Sequence, residues 1–265
     1  MSVQFLISTV NCENCKELLD KMNINGNAII VNQYKEDDYE IIKHKGSIVH
    51  VYHRNERGVG KSRNLALANA ETQYCLFVDD DMVMIDSCGE YIESAFAQRP
   101  DADIILFNLH REDGKIIIEK PYQVKWWNFM KFGAAGMAVR REKIVNNDIS
   151  FNLNFGGGTI YGSGEDTIFF SDCIRKGLII YAVDVNIAYL TNRKSTWFKG
   201  YDRKYLYDKG ALYCAISRKW SKLLCLQALV RHPYIYKEQR LSLFEALKVM
   251  KQGIKGFEQG MAYKE

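Results

Sequence analysis

Residues 74–81 read YCLFVDDD, a short apolar run closed by three consecutive carboxylates. Such a run is too short for a buried helix. It is rich in the residues that strands favour, so it reads as a buried strand ending at Val78. Working backwards, Gly60–Ala70 has helical character, and Ser47–Tyr52, Ala28–Val31 and Val3–Ser8 read as strands, with a helix over Lys16–Met22 after the first. Working forwards, Asp86–Gln98 is helical and Ile104–Leu109 is another strand. Strands alternating with helices over some 110 residues predict parallel pairing in a doubly wound α/β sheet. In such a sheet ligands bind beyond the carboxyl ends of the strands, where Asp79, Asp80 and Asp81 then sit.

Beyond residue 110 the pattern loosens. Lys115–Glu119 and Ala134–Val139 are expected strands around the aromatic stretch YQVKWWNFMKF. A glycine-dense run, FGGGTIYGSG at 155–164, leads into an expected helix over Glu165–Lys176. From Tyr201 onward two helical segments are expected, broken at His232-Pro233 because proline disfavours helix at the residue before it.

The 265 residues are 47% hydrophobic and 26% charged, with 3 Pro and 19 Gly, which excludes disordered and collagen-like classes. No run of about 18 apolar residues occurs, so no span of a bilayer is expected. The segment MSVQFLISTVNCENC lacks a basic start and reads as a first strand, not a signal peptide. Seven cysteines, an odd number, fit a reducing cytoplasm. The net charge of +4 divides unevenly: residues 1–198 carry 22 basic and 26 acidic side chains, residues 199–265 carry 14 and 6. The organisation expected is therefore a domain over 1–198, in halves 1–110 and 111–198, followed by a basic helical segment over 199–265. A basic segment on an acidic body suits an anionic partner. Lys/Arg at 218, 219, 222, 231, 237 and 240 interleave with Trp220, Leu223, Leu224, Leu226, Leu229 and Val230, a pattern suited to an anionic membrane surface.

Four motifs bear on chemistry. Asn55-Glu-Arg-Gly-Val-Gly60-Lys61-Ser62 mimics a phosphate-binding P-loop, which would make the chain an NTPase using Gly60-Lys61-Ser62. The pattern needs glycine where Asn55 stands, and that glycine lets backbone N–H groups wrap a phosphate. Asp79-Asp80-Asp81 would repel one another without a divalent cation, and carboxylate oxygens select Mg²⁺ or Mn²⁺. Gly164-Glu165-Asp166 opens a helix, either as a capping arrangement or as a general base on a loop. Cys12-x-x-Cys15 has no second CxxC and no histidine close in sequence. Two thiols fall short of four zinc ligands, so they read as ordinary thiols at a helix start.

Asn55-x-x-Gly58, Ser62-Arg63-Asn64, FVDDD and GED-x-x-x-F, in this order and spacing, make residues 1–200 resemble inverting glycosyltransferases of family 2. Ser195-Thr196-Trp197 and Asp208-Lys209-Gly210 are more loosely similar to segments of transferases that build bacterial surface polysaccharides. The resemblance implies a GT-A fold: a Rossmann-like, mostly parallel central sheet flanked by helices, with residues 1–110 binding nucleotide and 111–198 binding acceptor. It implies transfer of a sugar from a nucleoside-diphosphate sugar, UDP favoured, to a hydroxyl of a lipid-linked acceptor glycan, with inversion. Ser8 and Thr9 would lie against the base, Arg63 at the base or diphosphate, and Asp80 at the ribose. Asn55, Gly58 and Lys61 would complete the nucleotide-sugar site. Asp81 and Asp79 would hold Mn²⁺ or Mg²⁺, and Asp166 would be the catalytic base with Glu165 beside it.

Two departures stand out. The second strand ends in Val31-Asn32-Gln33 where such enzymes often carry an Asp-Asp-Gly-Ser element that reads uracil, leaving Asn32 to meet the base edge. The late metal-binding His of related enzymes is missing, with Tyr189 or Thr191 near its place. Trp126, Trp127 and Phe129 could stack on acceptor sugars or pack in the core, and Gly164 would lie on the acceptor side. A non-enzymatic peripheral-membrane or nucleic-acid-binding module would explain the basic end but not DDD or GED. The resulting expectation is a cytoplasmic enzyme, peripheral at the inner face of the plasma membrane, with no nucleic-acid partner.

Overall fold

A computed structural model describes residues 2–191 and 200–263. The chain divides into two compact units, Met1–Phe151 with Phe169–Lys194, and Asn152–Ile168 with Ser195–Glu265. Ser195, Thr196 and Trp197 lie outside the described residues.

The first unit runs β1 (Val3–Val10), α1 (Cys15–Lys21), β2 (Ala28–Gln33), β3 (Asp38–His44), β4 (Ser47–Arg54), α2 (Val59–Asn69), β5 (Tyr74–Asp79), β6 (Met82–Met84), α3 (Cys88–Gln98), β7 (Ile104–His110), β8 (Tyr122–Gln123), β9 (Met137–Arg140), α4 (Arg141–Val145) and, later, β10 (Ile180–Leu190). The strands form one sheet in the order β3-β4-β2-β1-β5-β9-β7-β10-β6, with β8 on β10. The block β4-β2-β1-β5 is parallel, as is β7-β10. β9 is antiparallel to both its neighbours, so the mostly parallel pairing expected holds in the first half and gives way to mixed pairing in the second.

Alternation along the central strands builds two layers. Val3, Phe5 and Ile7 of β1 join Leu76 and Val78 of β5 in the core that also holds Leu19 of α1 and Ile92 and Phe96 of α3. Phe77 points the other way and meets Phe151 and Phe169 edge-on at 5.3 and 6.5 Å. Helices pack on both faces of the sheet, and the acids stand at the carboxyl end of β5.

Three sequence expectations change. Asp38–His44 is a strand that charge concealed: it is an edge strand with an exposed face, hairpinned to β4 through Lys45 and Gly46 at φ 47° and 80°. Lys115–Glu119 is not a strand. Asn108 takes the Ile118 backbone on its own amide, donating to the carbonyl at 2.7 Å and accepting from the N–H at 3.0 Å, and so stands in for a ladder partner. The long strand β10 was not anticipated.

α5 (Glu165–Arg175) connects the second unit's glycine-rich segment back to the sheet. After residue 200 come α6 (Arg203–Ile216), α7 (Ser221–Arg231), α8 (Tyr234–Lys237) and α9 (Leu243–Glu258), four helices among the described residues where two segments were expected. The break at His232-Pro233 is where expected; the further breaks at Ser217 and near Arg240 (φ 54°) carry no proline signal. α6 and α9 pack backbone to backbone. A Cβ on Gly210 would overlap the Met250 carbonyl, and one on Gly253 the carbonyl of Tyr207.

Candidate active site

Parallel register aligns the polar ends of β1, β2 and β5. Ser8 pairs with Asp79 and Thr9 with Asn32. Thr9 Oγ1 donates to Asp80 Oδ2 at 2.7 Å, which fixes the middle acid. Arg63, on the buried side of α2 and 4% exposed, donates to Asp79 Oδ1 at 3.1 Å and lies 5.3 Å above the Phe151 ring. Arg63 is therefore a buried counter-ion that orients Asp79. Asn64 beside it clamps the Phe151 backbone with bonds of 2.9 and 2.8 Å. The third acid is anchored through its main chain: Thr191 donates both N–H and Oγ1 to the Asp81 carbonyl, each at 2.9 Å. Thr191, one of the two residues placed where the late His would be, thus acts on the acid's backbone. Tyr189, the other, packs edge-on against His110 at 5.0 Å.

The Asn55–Ser62 turn is organised by a residue that sequence reasoning passed over. Gln33 accepts the Gly58 N–H at 3.0 Å and donates to Ser62 Oγ at 3.1 Å. Gly58, at φ 124°, takes a conformation that suits glycine and begins α2. Lys61 pairs with Glu56 at 3.2 Å, and the Asn55 N–H donates to Asp37 at 2.6 Å. With the Asn55 and Gly58 N–H groups and the Ser62 hydroxyl bonded within the protein, and asparagine where the pattern needs glycine, the turn departs from a phosphate-wrapping P-loop. Arg57, also unanticipated, donates to the Gln33 carbonyl at 2.7 Å and to Asn11 Oδ1 at 3.1 Å, bringing a cation to the ends of β1 and β2.

Asn32, the residue left to meet the base edge, is committed to the turn after β1. It is fully buried, its Oδ1 accepts the Cys12 N–H at 3.1 Å, and its Nδ2 donates to the Cys12 carbonyl at 2.7 Å. The side chain binds the turn after β1, and base contact through it would require those bonds to be exchanged.

The second unit carries the other chemical group. Gly164, at φ 120°, lies against Leu212, whose Cδ1 would be 2.7 Å from a Cβ there. Its N–H donates to Glu165 Oε2 at 3.1 Å, so the buried Glu165 carboxylate folds back on its own loop. Asp166, the next residue, is less buried. Lys209 of α6 faces Glu165 and Asp208, and burial pulls its ammonium below the usual lysine range. Asp208 accepts the Gly162 N–H at 2.9 Å and pairs with Lys204 at 2.5 Å, while burial raises its carboxyl above the ordinary value. The Asp208-Lys209 pair therefore buttresses the glycine-rich segment.

The aromatic trio divides. Phe129 is fully buried and belongs to the core, whereas Trp126 and Trp127 are 45% and 80% exposed. Trp126 stands edge-on to Phe129 at 5.5 Å, with the Arg175 guanidinium over the Trp126 ring at 5.5 Å.

Residues 15–155 match the family model for glycosyl transferase family 2, more than half the chain. The chain belongs to glycosyl transferase family 2. As a member it is a glycosyltransferase, and the matched stretch contains the strand-end acids Asp79, Asp80 and Asp81. No curated protein sequence matches it. Among solved structures it is similar to S. aureus TarS residues 1–349 in complex with UDP-GlcNAc, at 14% identity over 100% of this chain and 93% of that one, TM-score 0.60. TarS 1–349 in complex with UDP gives 15% identity, the same coverage and TM-score 0.60. S. aureus TarS in a longer form gives 18% identity over 88% of this chain and 43% of that one, TM-score 0.57. These similarities establish the GT-A fold.

Proposed function

We propose that the chain transfers a sugar from a UDP-sugar to a hydroxyl of an acceptor glycan in surface-polysaccharide synthesis, inverting the anomeric carbon. The observation that carries this is the set of strand-end acids held by Thr9, Arg63 and Thr191 in a family 2 glycosyltransferase. The UDP and UDP-GlcNAc bound by TarS favour uridine as the nucleotide. Ser8 and Thr9 at the base, Asp80 at the ribose, and Asn55, Gly58 and Lys61 along the donor form the nucleotide side. Arg57 adds a positive charge toward the diphosphate.

An all-oxygen acidic donor set fits Mg²⁺ or Mn²⁺. Asp81 would be the principal ligand, because Asp79 already shares its charge with Arg63. A cation held by Asp81 and Asp79 would supply positive charge against the leaving diphosphate. The acceptor oxygen attacks the anomeric carbon, the bond from that carbon to the diphosphate oxygen breaks, and Asp166 takes the hydroxyl proton. Glu165, bonded to Gly164 and facing Lys209, holds the loop that presents Asp166. Trp126 and Trp127 offer exposed rings to the apolar faces of acceptor sugars.

The acceptor is lipid-linked in this reading. No helix among the described residues is long and apolar enough to cross a membrane. α7 nevertheless exposes Leu223, Leu226 and Val230 along one face, at 55%, 39% and 66%, with Trp220 before it and Lys219, Lys222 and Arg231 flanking. That combination suits the anionic inner face of a plasma membrane.

The reading is tested with a panel of nucleotide sugars, scoring transfer, hydrolysis and thermal stabilisation with and without Mn²⁺. A UDP-sugar should stabilise the protein and turn over with metal, giving a product of inverted anomeric configuration by proton NMR. Indifference to every nucleotide sugar would overturn it. Flotation with anionic against neutral vesicles at about 0.1 M salt tests docking, and equal binding would reject it.

A further inference from the structure

The turn after β1 carries a cluster that none of the transfer chemistry uses. Asn11 adopts φ 52°, and Asn14 caps α1 by accepting the Glu17 N–H at 3.1 Å. Cys12 and Cys15 thus flank the start of the helix, with their two free thiols close enough to perturb each other. Asn32 pins this turn to β2 through Cys12, and its Nδ2 lies 3.1 Å from His53 Nδ1. His53 is the register partner of Asn32 on β4, and Asp38 on β3 is the register partner of His53. Two residues further along β3, Glu40 brings Oε1 to 3.4 Å from His53 Nε2.

The outcome is a convergence across adjacent strands that no sequence spacing revealed. One ligand atom each from Cys15, Glu40 and His53 lies within 4.8 Å of the other two, and the free Cys12 thiol is adjacent to Cys15. Cys15 is buried, and the His53 side chain is 15% exposed. The objection that two thiols cannot fill a zinc site no longer holds, because the sheet supplies an imidazole and a carboxylate.

The donor chemistry selects the ion. Thiolates with imidazole favour zinc and other borderline-soft metals over the hard cations suited to Asp79–Asp81. Around tetrahedral zinc, sulfur and nitrogen ligands stand about 3.6 Å apart, so the cluster must close by about 1 Å. The Cys and Glu side chains can make that adjustment by rotamer changes. We propose that Cys12, Cys15, His53 and Glu40 form a zinc site that fastens the β1–α1 turn to β3 and β4. Either ring nitrogen of His53 can serve. Nε2 as ligand makes Glu40 a direct ligand too, whereas Nδ1 as ligand leaves Glu40 accepting from Nε2–H, the usual support for a zinc-bound histidine. Through Asn32 the metal would order the turn that follows Ser8 and Thr9.

The test uses the full chain, reduced with a phosphine, loaded with Zn²⁺ and desalted. About one zinc should remain per chain, and Co²⁺ in its place should give a thiolate-to-cobalt charge-transfer band. Cys15→Ser and His53→Ala should weaken zinc binding by more than about tenfold, and Glu40→Gln by less or about as much. Zinc should raise the melting temperature of the wild type but not of Cys15→Ser, with circular dichroism confirming that both are folded. The milder His53→Gln gives a second check if Cys15→Ser fails to fold. No zinc retained by the reduced wild type, equal retention by the variants, or a cobalt spectrum without the thiolate band would each overturn the site. So would a Cys12–Cys15 disulfide whose reduction restores no metal uptake. Metal content is read independently of turnover, so failure here leaves the glycosyltransferase reading standing.

Discussion

The strand ends of the first unit and the glycine-rich segment of the second solve one problem, the placing of carboxylates, by opposite means. Asp79, Asp80 and Asp81 close a strand paired to β1 along its whole length, and each is held by a residue distant in sequence: Arg63, Thr9 and Thr191. Glu165 and Asp166 open a helix after a loop, and the loop is held by its own neighbour and by charges on α6. The first arrangement is rigid because sheet register fixes it. The second depends on two glycine positions and on buried charge, so it should yield to smaller perturbations. A rigid anchor suits a diphosphate whose geometry hardly varies, and a loop suits an acceptor that must enter and leave.

The largest expected effect is at the rigid end. Asp81→Asn should cut transfer by more than about 10³-fold, because an amide compensates a divalent cation poorly. The melting temperature of the metal-free protein should hold or rise as repulsion among the acids falls. Full transfer by this variant in chelator-treated buffer would remove the metal assignment.

Next is the loop's acid. Asp166→Asn should lower turnover by about 10²–10⁴ with donor affinity little changed. Glu165→Gln should act more mildly, through the loop. Side-by-side turnover and donor binding decide this, and a dead Glu165→Gln beside a working Asp166→Asn would exchange the two roles.

Stability sharpens the comparison. Arg63→Met leaves Asp79 without its buried counter-ion and should cost about 2–4 kcal/mol in denaturant unfolding, the partial exposure of Asp79 holding it to that range. Gly164→Ala must relieve both φ 120° and the contact with Leu212, and should cost about 1–3 kcal/mol. If Gly164→Ala proved harmless to both stability and turnover, the loop would not be the delicate half.

The smallest effect is in pH. Burial raises the Asp208 carboxyl above its ordinary 3.8, so the folded state holds that proton more tightly than the unfolded chain does. Its stabilising share is complete below 3.8 and is lost as pH climbs through the raised value. Asp208→Asn removes this dependence. Its melting temperature relative to wild type should therefore climb from acid to neutral pH, and a flat or falling difference in melts across that range would contradict the burial argument.

Much of this was legible locally. The apolar run ending in Asp79 could only be a buried strand, Gly60–Ala70 read as the helix that is α2, and Pro233 marked where α7 ends. Each is a short-range consequence of hydropathy or backbone restriction. Asp38–His44 was not legible, because an edge strand with one exposed face carries the polarity of a loop. Lys115–Glu119 misled because its apolar residues promised a ladder that the Asn108 side chain replaces.

What the sequence by itself determined, then, was the order of elements along the chain and the acids at their ends, since periodicity and turn chemistry act over a few residues. Only the tertiary structure decided which groups meet. Strand order put Asn32 beside His53 and brought Cys15 and Glu40 to the same place, and the fold set Arg63 against Asp79. Those meetings depend on which apolar faces bury against one another across long stretches of chain, and no spacing within a motif records that.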